Sequence, residues 1–423
     1  MPNRIPMRVP FPGPRALRAA AAALLLAATP AASAGAQRTT VPPPNDTRPS
    51  IPTLQLAVPA SDGQWTPAHA RAWYDSVGWV AGSNFLPSTA SNELEMWQAA
   101  TWDPATIDKE LGYAESLGMN TMRVFLHDLA YNQDPQGFLS RVDQFLAIAD
   151  KHHIRPMLVL FDACWDPFPH AGPQREPYPF LHNSTWVQSP GLAILSDTTK
   201  HDSLRAYVTG VIGRFGKDRR VLMWDVMNEP DNINRPAYFV FEPRNKGDYS
   251  LVLLKKAFRW AREAGVTQPL TTGPWKGDYA DTTTMLPISK WQLEHSDVIT
   301  FHSYDPLPRT QQLITALRRY NRPIILSEYM ARPVGSTFQT HLPALAAERV
   351  GAINWGFVQG RSQTIMPWDS WTREYTAEPP VWFHDIFRTD GTPYRAEEIA
   401  LIRQVTSANA KGGAKRAAAT RGN

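Results

Sequence analysis

Two glutamates stand where a chain most easily places catalytic groups. Glu229 lies in Trp224-Asp225-Val226-Met227-Asn228-Glu229-Pro230, and Glu328 closes Ile324-Ile325-Leu326-Ser327-Glu328. In both segments an apolar run of the kind that forms a buried strand ends abruptly in a carboxylate. Pro230 cannot continue a central strand, which puts Glu229 at the strand's mouth. A pair of carboxylates suits glycoside hydrolysis: one protonates the leaving oxygen while the other attacks, or activates water. The competing reading makes each Glu a structural ion-pair partner.

Other residues at strand ends fit such a site. Arg123, in Met122-Arg123-Val124, offers a cation that would keep a neighbouring carboxylate ionised. His302 and Tyr304 follow another apolar run, and Trp355 follows a further one in Asn354-Trp355-Gly356. Asn228 precedes the first Glu. Asn84, His127 with Asp128, and Trp165 with Asp166 follow three earlier runs and are weaker substrate-binding candidates. The 15 Trp divide between packing and stacking on the apolar face of sugar rings. Cys164 is the only cysteine, so no intrachain disulfide forms. With no base motif beside it, it reads as packing rather than as a nucleophile. A Gly-rich phosphate loop and the His-Glu-x-x-His pattern are absent, so neither a cofactor nor a metal is expected.

The elements that must position these residues alternate. Short apolar runs predict strands at Val77–Asn84, Asn120–Leu126, Arg155–Phe161, Val221–Val226, Pro269–Thr272, Val298–His302, Pro323–Leu326 and Gly351–Phe357. Amphipathic stretches predict helices between most of them, as at Pro104–Leu117, Phe138–His152, Leu204–Phe215 and Tyr249–Ala264. Eight strand–helix rounds imply an α/β protein with a closed (β/α)₈ TIM barrel. Glu229 and Glu328 then end the fourth and seventh strands, nearly opposite across the ring. The long connections 162–200, 230–248 and 358–380 all follow strands, so they rise from the C-terminal face and wall a cleft.

The formal charge of +4 is concentrated at the ends. Arg4, Arg8, Arg15 and Arg18 have no acid among them, and Lys411, Lys415, Arg416 and Arg421 lie in the tail. The remaining body is mildly acidic, which argues against nucleic acid or an anionic membrane as partner. Residues 1–36, with the apolar run Ala19–Ala28 and small residues after it, read as an export signal too short to span a bilayer. Residues 37–60 form a Pro-rich linker, 61–407 a single catalytic domain, and 408–423 a basic tail expected to be disordered. These features predict an exported monomer, periplasmic or extracellular, with no membrane contact after signal cleavage.

Over residues 75–405 or so, the strand-end motifs resemble the glycoside hydrolases of clan A, the 4/7 superfamily, and most closely the cellulase-like and mannanase-like group of family 5. The resemblance implies Glu229 as general acid/base and Glu328 as nucleophile, with retention of anomeric configuration. It also implies that Arg123 and Tyr304 hydrogen-bond the nucleophile, and that Asn228 binds the sugar 2-hydroxyl. His302 would contact substrate or Tyr304, and Trp355 would floor the sugar site. The implied substrate is a β-linked oligo- or polysaccharide, cleaved in the manner of an endo-β-mannanase or β-glucanase. Two alternatives stay open: a transglycosylase using the same site, and a non-catalytic carbohydrate-binding barrel. The sugar and its linkage stay open too.

Overall fold

The computed structural model describes residues 63–421, with side chains as far as Asn409. The expected export signal and Pro-rich linker lie outside the described residues. Eight parallel strands run β1 (Ala81–Phe85), β2 (Thr121–Phe125), β3 (Met157–Asp162), β4 (Met223–Asn228), β5 (Leu270–Thr271), β6 (Ile299–His302), β7 (Ile324–Glu328) and β8 (Gly351–Asn354). They are ordered β5-β4-β3-β2-β1-β8-β7-β6. The sheet therefore curls round on the β1–β8 pairing, with Ala81 opposite Ala352. Between β5 and β6, Asp297 N donates to Leu270 O at 2.8 Å and the Thr271 hydroxyl donates to Val298 O at 2.7 Å, so the (β/α)₈ barrel is nearly closed.

All eight predicted strands are present. The first begins later than predicted, because Val77 ends the helix Pro67–Val77, which Gly78 stops at φ 80°. Strand alternation builds the barrel in layers. Met157, Met223, Val298, Ile325 and Ile353 point inward and plug the lower end. Leu158, Leu160, Trp224, Val226 and Leu326 point outward and pack on the helical ring. Above the plug the interior turns polar, with Arg123 and Asp225 facing each other. The helices start where side chains cap them. Asp103 accepts from Thr106 N before Pro104–Ser116, and Asp134 accepts from Gly137 N before Pro135–Lys151.

The tail departs from expectation. A helix runs over Ala396–Arg421, through the segment predicted to be disordered from 408. Ala, Lys and Arg are strong helix formers, and the helix is already anchored upstream, where the Thr406 hydroxyl reaches Leu117 O at 2.8 Å. Among the described residues no helix is long and apolar enough to cross a membrane.

Candidate active site

β4 and β7 deliver the two glutamates to the same cavity. Glu229 leaves β4 with φ 40°, a left-handed conformation that is strained for a non-glycine residue. β6 and β7 lose register between Phe301 and His302, which sets His302 directly opposite Glu328. The result is a tight trio. His302 Nδ1 lies 2.7 Å from Glu229 Oε1 and 3.5 Å from Glu328 Oε2. Ligating atoms of Glu229, His302 and Glu328 all fall within 4.8 Å of one another.

Each carboxylate has its own set of partners. Glu328 Oε1 accepts from Arg123 Nη1 at 2.8 Å, and Oε2 accepts from the Tyr304 hydroxyl at 2.9 Å. Glu229 Oε2 accepts from Asn232 Nδ2 at 2.6 Å and from the Cys164 thiol at 3.3 Å. Arg123 is fully buried and uses all five of its N–H groups. Besides Glu328 it reaches Asp225 through Nε (3.1 Å) and Nη2 (2.7 Å), Asn84 Oδ1 at 2.9 Å and Asn228 Oδ1 at 2.7 Å.

Protonation follows from burial and these contacts. Burial pushes the Glu229 carboxyl above its ordinary value, against the Asn232 and Cys164 hydrogen bonds. Burial and the neighbouring Glu229 raise Glu328 too, against the pull of Arg123 and the Tyr304 hydrogen bond. Glu328 alone touches a cation, so the first proton of the pair leaves there. Burial lowers His302 to about 4, so its imidazole is neutral at pH 7. Burial and the carboxylates hold the Tyr304 hydroxyl and the Cys164 thiol protonated, which makes both hydrogen-bond donors. The sequence reading of Cys164 as no nucleophile fits its protonated state, but its contact with Glu229 carries no sequence signal.

The cavity over these groups measures about 520 Å³. Of the residues singled out in the sequence, Glu229, Glu328, Asn228, His302, Tyr304, Trp355 and Trp165 line it. Five candidates do not: Arg123, Asn84, His127, Asp128 and Asp166. Arg123 sits beneath Glu328, with no exposed surface. Asn84 donates to Ser327 O and Asn354 O and orients Arg123, away from the cavity. His127 is buried, and its Nδ1 caps the short helix Asp128–Gln133 by accepting from Leu129 N. Asn84 and His127 found backbone or buried partners before they could reach the mouth, whereas Arg123, within β2, makes the contact with Glu328 that the resemblance implies. Sequence reasoning also missed contributors: Asn232 on Glu229, Trp275 and Lys276 after β5, and His182, Trp186 and Trp368 from the long loops. Asn232, three residues past Glu229, was the most accessible of these, since a short polar side chain after a strand-ending turn points back at the turn.

A family model described as cellulase (glycosyl hydrolase family 5) matches residues 87–371. The chain is similar to a β-glucuronidase from Canis lupus familiaris, 27% identical over 219 residues, which are 49% of this chain and 30% of that relative's length. Among solved structures, it resembles an endo-1,4-β-mannanase from Rhizomucor miehei at TM-score 0.52 and 14% identity, covering 79% of this chain and 95% of that one. It also resembles an exo-β-1,4-mannosidase from Opitutaceae bacterium strain TAV5 at TM-score 0.55 and 18% identity, covering 84% and 62%. At these identities the structures share the fold.

Proposed function

The chain belongs to glycosyl hydrolase family 5, and from that premise we propose that it cleaves β-linked saccharides by double displacement, with Glu328 as nucleophile and Glu229 as acid/base. The observation that carries this reading is the approach of the two carboxylates to within 4.8 Å in one cavity. That is short of the ~6.5–9.5 Å an inverting enzyme needs to seat a water between them.

The steps follow from the contacts. Arg123 and the Tyr304 hydroxyl stabilise ionised Glu328, which attacks the anomeric carbon and forms a glycosyl ester. Glu229, held protonated by burial, gives its proton to the departing oxygen. Forming the ester removes the negative charge of Glu328 from beside Glu229, and losing a neighbouring like charge favours ionisation. Glu229 then loses its proton more readily and serves as base for the incoming water. Asn228, whose Oδ1 is held by Arg123 and whose Nδ2 points to Asp162 and Cys164, lines the cavity beside both glutamates, and we assign it to the sugar's 2-hydroxyl. Trp355 supplies the apolar floor.

The test compares two variants. Glu328→Ala should abolish turnover of every glycoside with the fold intact. Glu229→Ala should lose most activity, less so on aryl glycosides whose leaving group needs no proton, and added azide should restore turnover. NMR of the first sugar formed should show the retained anomer. An inverted product, or unchanged kinetics in either variant, would sink the assignment. We read residues 1–36 as an export signal preceding a catalytic domain of 61–407; a secreted form that retains its N-terminal arginines would contradict this.

A further inference from the structure

Resting on that catalytic reading, we infer that the enzyme is exo-acting. Its cavity takes one terminal sugar on the glycone side and leaves only the aglycone side open to a chain. The argument begins with direction. The leaving oxygen must sit at Glu229, so the aglycone departs along the loops after β4 and β5. The sugar being cleaved lies over Trp355 and Glu328, and any sugar preceding it would extend toward the loops after β3 and β8.

Those two loops are joined to each other. Asn183 N donates to Ser362 O at 2.9 Å, Phe180 N to Gln363 Oε1 at 2.7 Å, and Gln363 Nε2 back to Tyr178 O at 2.8 Å. His182 N donates to Ser370 Oγ at 3.1 Å, and Trp371 Nε1 donates to His182 O at 2.9 Å. Trp165 stacks on Trp371 with ring centroids 5.5 Å apart. The loop after β1 backs this wall, since Asn92 Nδ2 reaches Thr185 O at 2.8 Å and the Thr185 hydroxyl reaches Ser91 O at 3.1 Å.

Burial differs sharply between the two ends. At the joined end His182 and Asn183 are each 1% exposed and Trp186 and Trp371 each 3%, so the bonded loops pack behind the sugar site, with Trp165 and Trp368 partly exposed at its rim. At the other end Arg235 is exposed, and Ile233, Trp275 and Lys276 are partly so. A chain can therefore run out past Glu229 but not past Trp186. A cavity of about 520 Å³ falls within the ~300–1,000 Å³ of sites that enclose a small ligand, whereas an endo-acting cleft is open at both ends. The wall is made of buried backbone and side-chain hydrogen bonds, and breaking several together is costly, so it does not swing aside for a polymer.

The experiment compares 4-nitrophenyl β-D-mannoside, glucoside, galactoside, xyloside and glucuronide with the corresponding β-1,4-linked 4-nitrophenyl biosides. It also uses β-1,4-hexasaccharides labelled at the reducing end. For the preferred sugar, release of nitrophenol together with an intact disaccharide should be at least 100-fold less efficient in kcat/KM than release from the monoglycoside. The labelled hexasaccharide should shorten one residue at a time from its non-reducing end. Comparable release of intact disaccharide, or internal fragments at the earliest time points, would overturn exo action. Trp371→Ala removes the bond to His182 and the stack on Trp165, and should raise disaccharide release at least tenfold. The wild-type product pattern decides the question even if that variant folds poorly. Glu328→Ala, run in parallel, separates the two layers of argument. If it is inactive while wild type cuts internally, only exo action fails; if it matches wild type, the catalytic reading itself fails.

Discussion

Replacing Arg123 by Met preserves much of the side chain's apolar volume and deletes five hydrogen-bond donors at once. Two carboxylates, Asp225 and Glu328, lose a partner at 2.7 and 2.8 Å inside a fully buried site. Breaking a buried pair from one side typically costs ~3–5 kcal/mol. At ~2 °C per kcal/mol for a large domain, Tm should fall by about 6–10 °C. The catalytic consequence is separate. A cation ~4 Å from a carboxylate at an effective dielectric of ~20 contributes ~4 kcal/mol, and ~1.4 kcal/mol corresponds to one pH unit. Allowing for relaxation, the Glu328 titration should move far enough for a pH profile to resolve it. The direction is upward, because losing the cation disfavours the ionised form, and unpaired Asp225 adds a like charge. Since Glu328 must be ionised to attack, the loss of rate should be greatest at low pH and recover as pH rises. The assay is kcat/KM against pH on a 2,4-dinitrophenyl glycoside, whose leaving group needs no proton, so that deprotonation of Glu229 does not cut the rate as pH rises and mask the recovery. Arg123→Lys keeps the charge and should move the limb less than half as far. A Met variant that is folded by circular dichroism yet has an unmoved acid limb would refute the role assigned to Arg123.

Tyr304→Phe removes the hydroxyl that donates to Glu328 at 2.9 Å. A hydrogen bond to a charged group contributes ~1.5–3 kcal/mol, so kcat/KM should fall about 10- to 150-fold with Tm nearly unchanged; kinetics within twofold of wild type would show that the contact does not matter. Lys246 is fully buried against Glu242 at 2.5 Å, and its ammonium donates to Ala163 O and Asn232 O at 2.7 Å each. It thereby ties the β3 loop to the β4 loop that carries the partner of Glu229. Lys246→Met should cost ~3–5 kcal/mol in denaturant unfolding and reduce activity through Asn232, whereas an unshifted midpoint would contradict it.

The barrel was legible because its strands are apolar runs of the right length and each round restarts after a helix stop. The proposed catalytic pair was legible because β7 ends in Glu328 and β4 ends one residue before Glu229, where a strand otherwise continues or turns. What the sequence did not carry is contact between segments distant in the chain. Nothing in the order of residues 178–186 announces that their backbone bonds residues 362–371, since loops have no period to read. Asn84 and His127 illustrate the complementary error. Both stand at strand ends, as the catalytic residues do, but Asn84 is consumed by Arg123 and two carbonyls, and His127 by a helix start. A polar type at a strand end shows that the side chain is near the mouth; only its partners show whether it is free to meet a substrate. The helix over 408–421 was missed for another reason, because a composition without an apolar face was read as disorder although its residues favour helix.

The chemistry depends on two identical side chains behaving differently, and their surroundings provide the difference. Burial raises both carboxyls, so burial alone would give two acids and no nucleophile. Glu328 receives the guanidinium of Arg123 and a phenol, partners that favour its charged form. Glu229 receives an amide and a thiol, weaker donors bearing no charge, and its Oε1 faces a neutral imidazole. The asymmetry traces back to the barrel. Arg123 projects inward from β2 one layer below the mouth, within reach of β7, and Asp225 and Asn228 on β4 occupy its other edge. The guanidinium thus spans the barrel beneath both glutamates but hydrogen-bonds only Glu328. Moving that one cation toward Glu229 would exchange the roles, which is why the acid limb of an Arg123 variant bears on the whole mechanism rather than on a single contact.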